Sequence, residues 1–473
     1  MTRTTRTTGG RAAGAPVVEE AAGAPSRPAI GPLRALRTAG VVEERLAGGL
    51  HVICARRPSV PVVELRLVFP LAANRIRRRA DKTVLSESLL AGTSTHDRAG
   101  LAKAVQRLGG DLWASAAGES VHIGGSVVAE HLVEMLEIVA EVLADASYPR
   151  AEVSSDADRM AEQVLMALSQ PEVLADQELR KRLHPGHPYS SALPLPDSVR
   201  KVSADRLRQL HAEALVPAAG HLVLVGDVTP GRALAASARA LEPWLSRAPA
   251  SSAGDATPLL QLPALRLGPL LLFDRAGAVQ SNLRIARLAP TRADPWLPAA
   301  VLANLIFGGM FASRLVDNLR ERNGYTYSPR ASINHSRAGS TFVIQAEVAT
   351  ESTAASLVET TYELGRMATK GVTDEELDSA RRYALGMLSF EAATQSGFAN
   401  TLARLAINGL DHGYLDRYAV ALKSAKRRDV DEAARRLLAP SQMVTVVLGD
   451  AEAVGGSLAV VDDVLVSALS SPR

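Results

Sequence analysis

Two apolar stretches, about half a chain apart, end in the same way, and this repetition limits the possible folds more than any other feature of the sequence. Leu222-Val223-Leu224-Val225 runs into Gly226-Asp227, and Val444-Thr445-Val446-Val447-Leu448 runs into Gly449-Asp450. Amphipathic helices recur at a similar separation. Leu132, Met135, Leu136, Val139, Val142 and Leu143 fall on one helical face, and Ala354, Leu357, Leu364 and Met367 do so again. A helix-start signal follows each: Ser154 or Ser155 in the first half, and Thr373 with Asp374 and Glu375 in the second. Matching elements at a fixed spacing mark a duplicated domain.

Each half also begins with strands. Residues 41–45, the turn at Ala47-Gly48-Gly49, and residues 50–55 read as a hairpin, and residues 62–69 alternate as a further strand. Strands followed by helices, twice over, predict an α+β protein of two tandem domains, each a mainly antiparallel sheet covered by helices. Residues 1–38 are rich in Ala, Gly, Thr, Arg and Pro without periodicity, and the stretch from Ser246 to Pro263 is similar. The expected division is a disordered tail at 1–38, a first domain at 39–244, a linker at 245–264, a second domain at 265–460 and a C-terminal tail at 461–473.

The chain of 473 residues is long enough for two such cores. Hydrophobic residues make up 47% and charged residues 22%, a globular profile, while aromatics at 4% leave the cores to Leu, Val and Ala. A net charge of +3 gives no argument for a nucleic-acid partner. Cys54 is the only cysteine, which excludes an intrachain disulfide and a Cys-rich metal site. The N-terminus lacks the pattern of a secretory signal, and no run of about 18 apolar residues is present, so a cytoplasmic protein without membrane spans is expected. One basic run stands out: Arg75, Arg77, Arg78, Arg79 and Lys82. Its plain reading is a solvated loop and helix start, and its alternative is a patch for an acidic ligand.

The second half carries a longer pattern. Asn304-Leu305-Ile306-Phe307-Gly308-Gly309-Met310-Phe311-Ala312-Ser313-Arg314-Leu315 is followed by Asn318-Leu319-Arg320-Glu321-Arg322-Asn323-Gly324-Tyr325-Thr326-Tyr327-Ser328. The residues alone suggest a helix with Arg320 near its C-terminus, a tight exit at Gly324, and Tyr327 on the strand that follows. The pattern resembles the C-terminal domain of the M16 (insulinase and mitochondrial processing peptidase) family of zinc peptidases. In the first half, Thr83-Val84-Leu85-Ser86-Glu87-Ser88-Leu89-Leu90-Ala91-Gly92-Thr93 resembles that family's metal-site helix, and His187-Pro188-Tyr189 resembles a common loop. The resemblance covers roughly residues 41 to 450.

Active M16 peptidases carry His-x-x-Glu-His on that helix. Residues at i and i+4 share a helix face, so both histidines can bind one Zn²⁺ while the Glu serves as general base. Those three positions fall here on Thr83, Ser86 and Glu87. Neither His is present. Glu162 lies on the later helix, but no Glu occupies the family register near Met166 and Ala167. The resemblance therefore implies that this chain binds no zinc.

The resemblance also implies a role for an Arg and a Tyr seven residues later, which reach the substrate backbone in the family and map onto Arg320 and Tyr327. Both are hydrogen-bond donors, suited to a peptide carbonyl and the oxyanion that forms from it. Tyr325 is a nearby competitor, and Gly308 and Gly309 are candidates for the substrate channel or for a plain helix turn. Two readings stay open. The chain is the accessory subunit of a heteromeric zinc endopeptidase, whose partner carries His-x-x-Glu-His and the zinc and whose substrate is a peptide or leader peptide. Alternatively, it is a structural or peptide-binding homologue with no part in hydrolysis.

Overall fold

The computed structural model describes residues 40–71, 76–247 and 260–469. The expected tail at 1–38, Arg75 and most of the 245–264 linker lie outside these residues.

The first half builds six strands: β1 (Val41–Arg45), β2 (His51–Arg56), β3 (Val62–Pro70), β4 (Asp111–Ala117), β5 (Ser120–Val128) and β6 (His221–Gly226). The second builds β7 (Leu270–Asp274), β8 (Gln280–Ala289), β9 (Arg330–His335), β10 (Ser340–Ala349), β11 (Val444–Gly449) and β12 (Val464–Ser467). Each half forms one sheet, in the orders β1-β2-β6-β3-β5-β4 and β12-β7-β11-β8-β10-β9. Five of the six positions, from β2 to β4 and from β7 to β9 in these orders, match strand for strand. In both, the strand ending in Gly-Asp sits centrally, parallel to the first strand of the repeat and antiparallel to the second. Only the strand at one edge differs: β1 joins its sheet antiparallel, and β12 joins parallel.

The repeated glycine has a packing reason. A Cβ on Gly226 would sit 2.2 Å from the Val62 carbonyl oxygen on the neighbouring strand β3, and one on Gly449 would sit 2.5 Å from Ser281 Oγ. Asp450 then accepts the backbone N–H groups of Glu452 and Ala453, capping the next helix.

One face of each sheet is covered by helices of its own half. Leu132, Met135, Leu136, Val139, Val142 and Leu143 of the Leu132–Asp145 helix are buried there, as their spacing predicts, and so are Leu357, Leu364 and Met367 of the Thr353–Lys370 helix. The opposite face of each sheet is covered by a helix from the other half. The Pro171–Leu183 helix sets Ala175, Leu179 and Leu183 against Phe273, Ala286, Val343 and Val446. The Gln395–Ile407 helix sets Phe398, Ala399, Leu402 and Ala403 against Ile53, Val68, Val223 and Val225. Each large side chain buried this way contributes about 1.5–3 kcal/mol.

A buried arginine at the same place in each sheet ties down the visiting helix. Arg66 on β3 donates to Asn400 (2.6 Å), Ser396 (2.7 Å) and Glu64 (2.9 Å), and Arg284 on β8 donates to Asp176 (2.6 Å) and Glu347 (2.9 Å).

Two local expectations need correction. The helix expected to start at Ser154 or Ser155 is Arg150–Ser169, entered through Pro149 after Tyr148 turns with φ +46°. Proline fits a helix entry, so the start falls upstream of the serines. The C-terminal tail expected from 461 instead supplies β12, because Val464–Ser467 pairs with β7. The apolar stretch Leu297–Arg322 is long enough to span a membrane by composition, but 67% of its most apolar window is buried in the second core. By contrast, Thr373 does cap the Asp374–Glu391 helix, in a capping box with Glu376.

Candidate functional site

The short Arg314–Val316 helix runs on into a wider π-helical turn, Asp317–Arg322, and stops at Gly324, where φ is +65°. The Gly324 amide donates to the Arg320 carbonyl (3.1 Å) and the Tyr325 amide to the Leu319 carbonyl (2.8 Å), which closes the helix end as the glycine predicts. Single π turns of this kind often occur at functional sites.

The Arg320 guanidinium emerges from this turn between two aromatic rings. Its carbon lies 4.6 Å from the centroid of Tyr327 and 4.7 Å from that of Phe311. Both rings are open to solvent, Tyr327 at 79% and Phe311 at 70% exposure. Arg320 Nε lies 3.3 Å from Glu321, its one ion pair among the described residues. Cation–π contact thus holds the guanidinium, on a half-buried side chain, between the two exposed rings.

The structure therefore brings Arg320 and Tyr327 together, but not as a strand residue beside a helix. Tyr327 lies in the loop before β9, which begins only at Arg330. Pro329 has no N–H for the ladder, and the Thr326 hydroxyl pins the loop to the Glu347 carbonyl (2.6 Å). Phe311 was not singled out by the sequence, since no periodicity links it to Arg320.

The other candidates separate from this pair. Tyr325 packs half-buried against the second core. Gly308 is buried, and a Cβ there would meet the Ala331 Cβ at 2.9 Å. A Cβ on Gly309 would meet Asn304 Nδ2 at 2.8 Å. Close packing accounts for both glycines without a substrate channel.

In the first half, Thr83, Ser86 and Glu87 lie on the Ile76–Ser88 helix. The Thr83 hydroxyl donates back to the Arg79 carbonyl (3.0 Å), and Ser86 to the Thr83 carbonyl (3.0 Å). Glu87 accepts from Arg159 (2.6 Å) at the half-exposed surface. These hydroxyls are committed to the helix and the carboxylate to an arginine, so the positions do not fit a zinc ion. Among the described residues, no three His, Cys, Asp or Glu side chains converge to hold a metal.

Thr83 instead faces a cavity of about 670 Å³ between the halves. Its walls include the β4–β5 hairpin and the hairpin of β9 and β10. The tips of these hairpins are close: the Arg337 amide donates to Glu119 (2.9 Å), and the Ala338 amide to the Tyr189 hydroxyl (3.1 Å). His187, in the loop singled out by the sequence, accepts the Tyr189 amide at Nδ1 (3.1 Å), which leaves Nε2 to donate to the Leu260 carbonyl (3.2 Å). Arg79 and Lys82 correct the plain reading of the basic run. Arg78 pairs with Glu213 at the surface (3.0 Å), but Arg79 donates to the Pro188 carbonyl and buried Lys82 to the Gly118 carbonyl at the cavity wall.

Against this geometry, residues 201–383 match the family model described as "Peptidase M16 inactive domain". A solved structure of a peptidase M16 inactive domain from Pseudomonas fluorescens superposes with a TM-score of 0.77 at 23% identity, covering 87% of this chain and 98% of that one. A protease structure from Helicobacter pylori also gives 0.77, at 16% identity, covering 86% and 99%. In sequence, the chain is 24% identical to an uncharacterized zinc protease of Mycobacterium leprae over 62% of this chain and 66% of that relative. It is 22% identical to a non-peptidase homolog of Helicobacter pylori over 67% and 72%.

Proposed function

We propose that this chain, a member of the M16 peptidase family without its zinc motif and a non-catalytic homologue, is the accessory subunit of a heteromeric zinc endopeptidase. The observation that carries this reading is the Arg320–Tyr327–Phe311 stack: a cation held between two rings that are open to solvent. A second chain with His-x-x-Glu-His would supply the metal and the general base.

Arg320 would donate to the carbonyl oxygen of the scissile peptide, and the Tyr327 hydroxyl would donate beside it. Both interactions strengthen as negative charge develops on that oxygen. Losing one such donor costs about 2.7–4 kcal/mol of transition-state stabilisation. Neither residue needs to move a proton. Peptides or leader peptides are the substrate class this reading supports.

The test is peptide hydrolysis and zinc content of the purified chain, alone and mixed with a zinc-motif homologue from the same source. The expected result is a metal-free, silent chain whose mixture is active, with kcat/KM falling about 100-fold in Arg320→Ala and less in Tyr327→Phe. A mixture no more active than the homologue by itself would sink the proposal and favour a structural or peptide-binding role. The cavity that the two halves enclose within one chain gives that second role its own support.

A further inference from the structure

Each sheet has two outer strands, and three of the four are accounted for. β4 and β9 reach the cavity between the halves, at Trp113 and His335. β1 carries Glu43, Glu44 and Arg45, and Glu43 accepts from His51 (3.0 Å) and from His412. Charges of this kind keep an edge from pairing with another chain. β12 is the exception. Val464-Leu465-Val466-Ser467 contains no charge, and among the described residues no strand lies beyond it in the sheet. Leu465 is 52% and Val466 55% exposed, on opposite faces of the strand. The layers on both sides of the sheet thin out here. Val464 packs against the second core, and Leu469, just past the strand, packs with the cluster under the Pro171–Leu183 helix. Leu465 and Val466 are what those layers leave bare.

The sequence of this edge is complementary to its own reverse. A two-fold axis normal to the sheet sets two copies of β12 antiparallel and keeps the faces of both sheets aligned. Residues that meet across the axis must then share a face, so odd positions meet odd and even meet even. With the axis at Leu465, that residue meets itself, Val464 meets Val466, Asp463 meets Ser467, and Asp462 meets Ala468. Apolar side chains pair on both faces, which is the unit of sheet stabilisation. The two acidic pairs fall at opposite ends of the ladder, where they meet a hydroxyl and a methyl group and not each other. An axis at Val466 would instead set Leu465 against Ser467 and Asp463 against half-buried Leu469, a poorer match.

We propose that β12 is a self-association edge, through which two copies of this chain pair antiparallel about a two-fold axis at Leu465, joining the second sheet of one to that of the other. A second copy is the occupant because the charge and apolar pattern of the edge matches itself in reverse, and because a two-fold contact closes on itself and stops at a dimer. The ladder is short, so the dimer is weak and forms with rising concentration. The inference is independent of the accessory-subunit reading, because no residue of β12 belongs to the Arg320 stack.

The experiment is sedimentation equilibrium of the full chain from about 1 to about 100 μM, joined to cysteine cross-linking. The dimer fraction is expected to grow across that range. Val466→Lys, which puts a charge on the edge, should weaken association at least about tenfold. Val420→Lys, on an exposed position of the Tyr414–Ser424 helix, should leave it unchanged. Leu465→Cys gives the sharper test. A residue on the axis faces its own copy, so oxidation should link two chains through one disulfide, whereas Val460→Cys, 87% exposed but away from the axis, should not link them. The native Cys54 is buried and does not compete. A chain that stays monomeric at the highest concentration, or that dimerises equally well as folded Val466→Lys, overturns the proposal. So does a Leu465→Cys chain that links to a zinc-motif homologue in a mixture and never to itself, since the edge would then belong to a different partner.

Discussion

Lys82 shows how a residue legible in the sequence changes meaning once it is placed. In the basic run it reads as solvated, yet it is 5% exposed and its ammonium faces the cavity. Burial, and then Arg79, bring its pKa down to about 8, against a partial counter-effect of Glu119. The unfolded chain therefore binds more protons than the folded one between pH 8 and 10.5, and stability rises with pH across that window. Below it, the folded protein carries the full cost of a buried charge. Lys82→Met should accordingly stabilise the chain by about 1 kcal/mol at pH 7, an advantage that shrinks toward pH 10. Urea titrations of both proteins at the two pH values check this, and a pH-independent difference would contradict it. Gly308 is the opposite case: its presence was legible, but its reason was not. Gly308→Ala places a methyl group 2.9 Å from Ala331, and overpacking of this kind costs about 1–3 kcal/mol. Calorimetry should show a lower Tm, whereas a channel-lining role would change peptide affinity at unchanged Tm.

At the scale of elements, what the sequence revealed was what depends on local spacing. The amphipathic face of the Leu132–Asp145 helix, the β1–β2 hairpin and the Thr373 cap are all set by residues within a few positions of one another. The helices that cross between halves were not legible, because the apolar residues at Phe398, Ala399, Leu402 and Ala403 mark a buried face without saying which sheet buries it. Tyr327 failed for a related reason: the pattern placed it beyond the helix end, but Pro329 and the Thr326 bond decide where pairing begins. The crossing helix also yields a quantitative expectation. Phe398 is 1% exposed, and the Arg57 guanidinium carbon lies 3.7 Å from its ring centroid. Phe398→Ala should cost about 3–5 kcal/mol, against no more than about 0.5 kcal/mol for Tyr383→Ala on an open helix face. A small effect at Phe398 in denaturant unfolding would mean that this helix does not seal the first sheet in solution.

For the whole molecule, the duplication and the exchange of helices act together. Neither half has a complete set of covers: the first sheet needs Gln395–Ile407 from the second half, and the second sheet needs Pro171–Leu183 from the first. Residues 40–247 alone would leave Ile53, Ala55, Val68, Val223 and Val225 uncovered on one side of the sheet, an apolar face of the sort that drives association. They would also strand Arg66, which loses its bonds to Asn400 and Ser396. The two repeats, so clear in the sequence as separate domains, should therefore fold as one cooperative unit. Residues 40–247 expressed alone are expected to be insoluble or molten. Co-expression with residues 248–473 should restore a soluble complex, since the crossing helices need no covalent link to dock. Size-exclusion chromatography and far-UV circular dichroism of the fragment and of the pair make the comparison. A monomeric fragment with a sharp unfolding transition would show that the first half is stable without its visiting helix, and that the exchange serves the cavity between the halves and not the stability of each sheet.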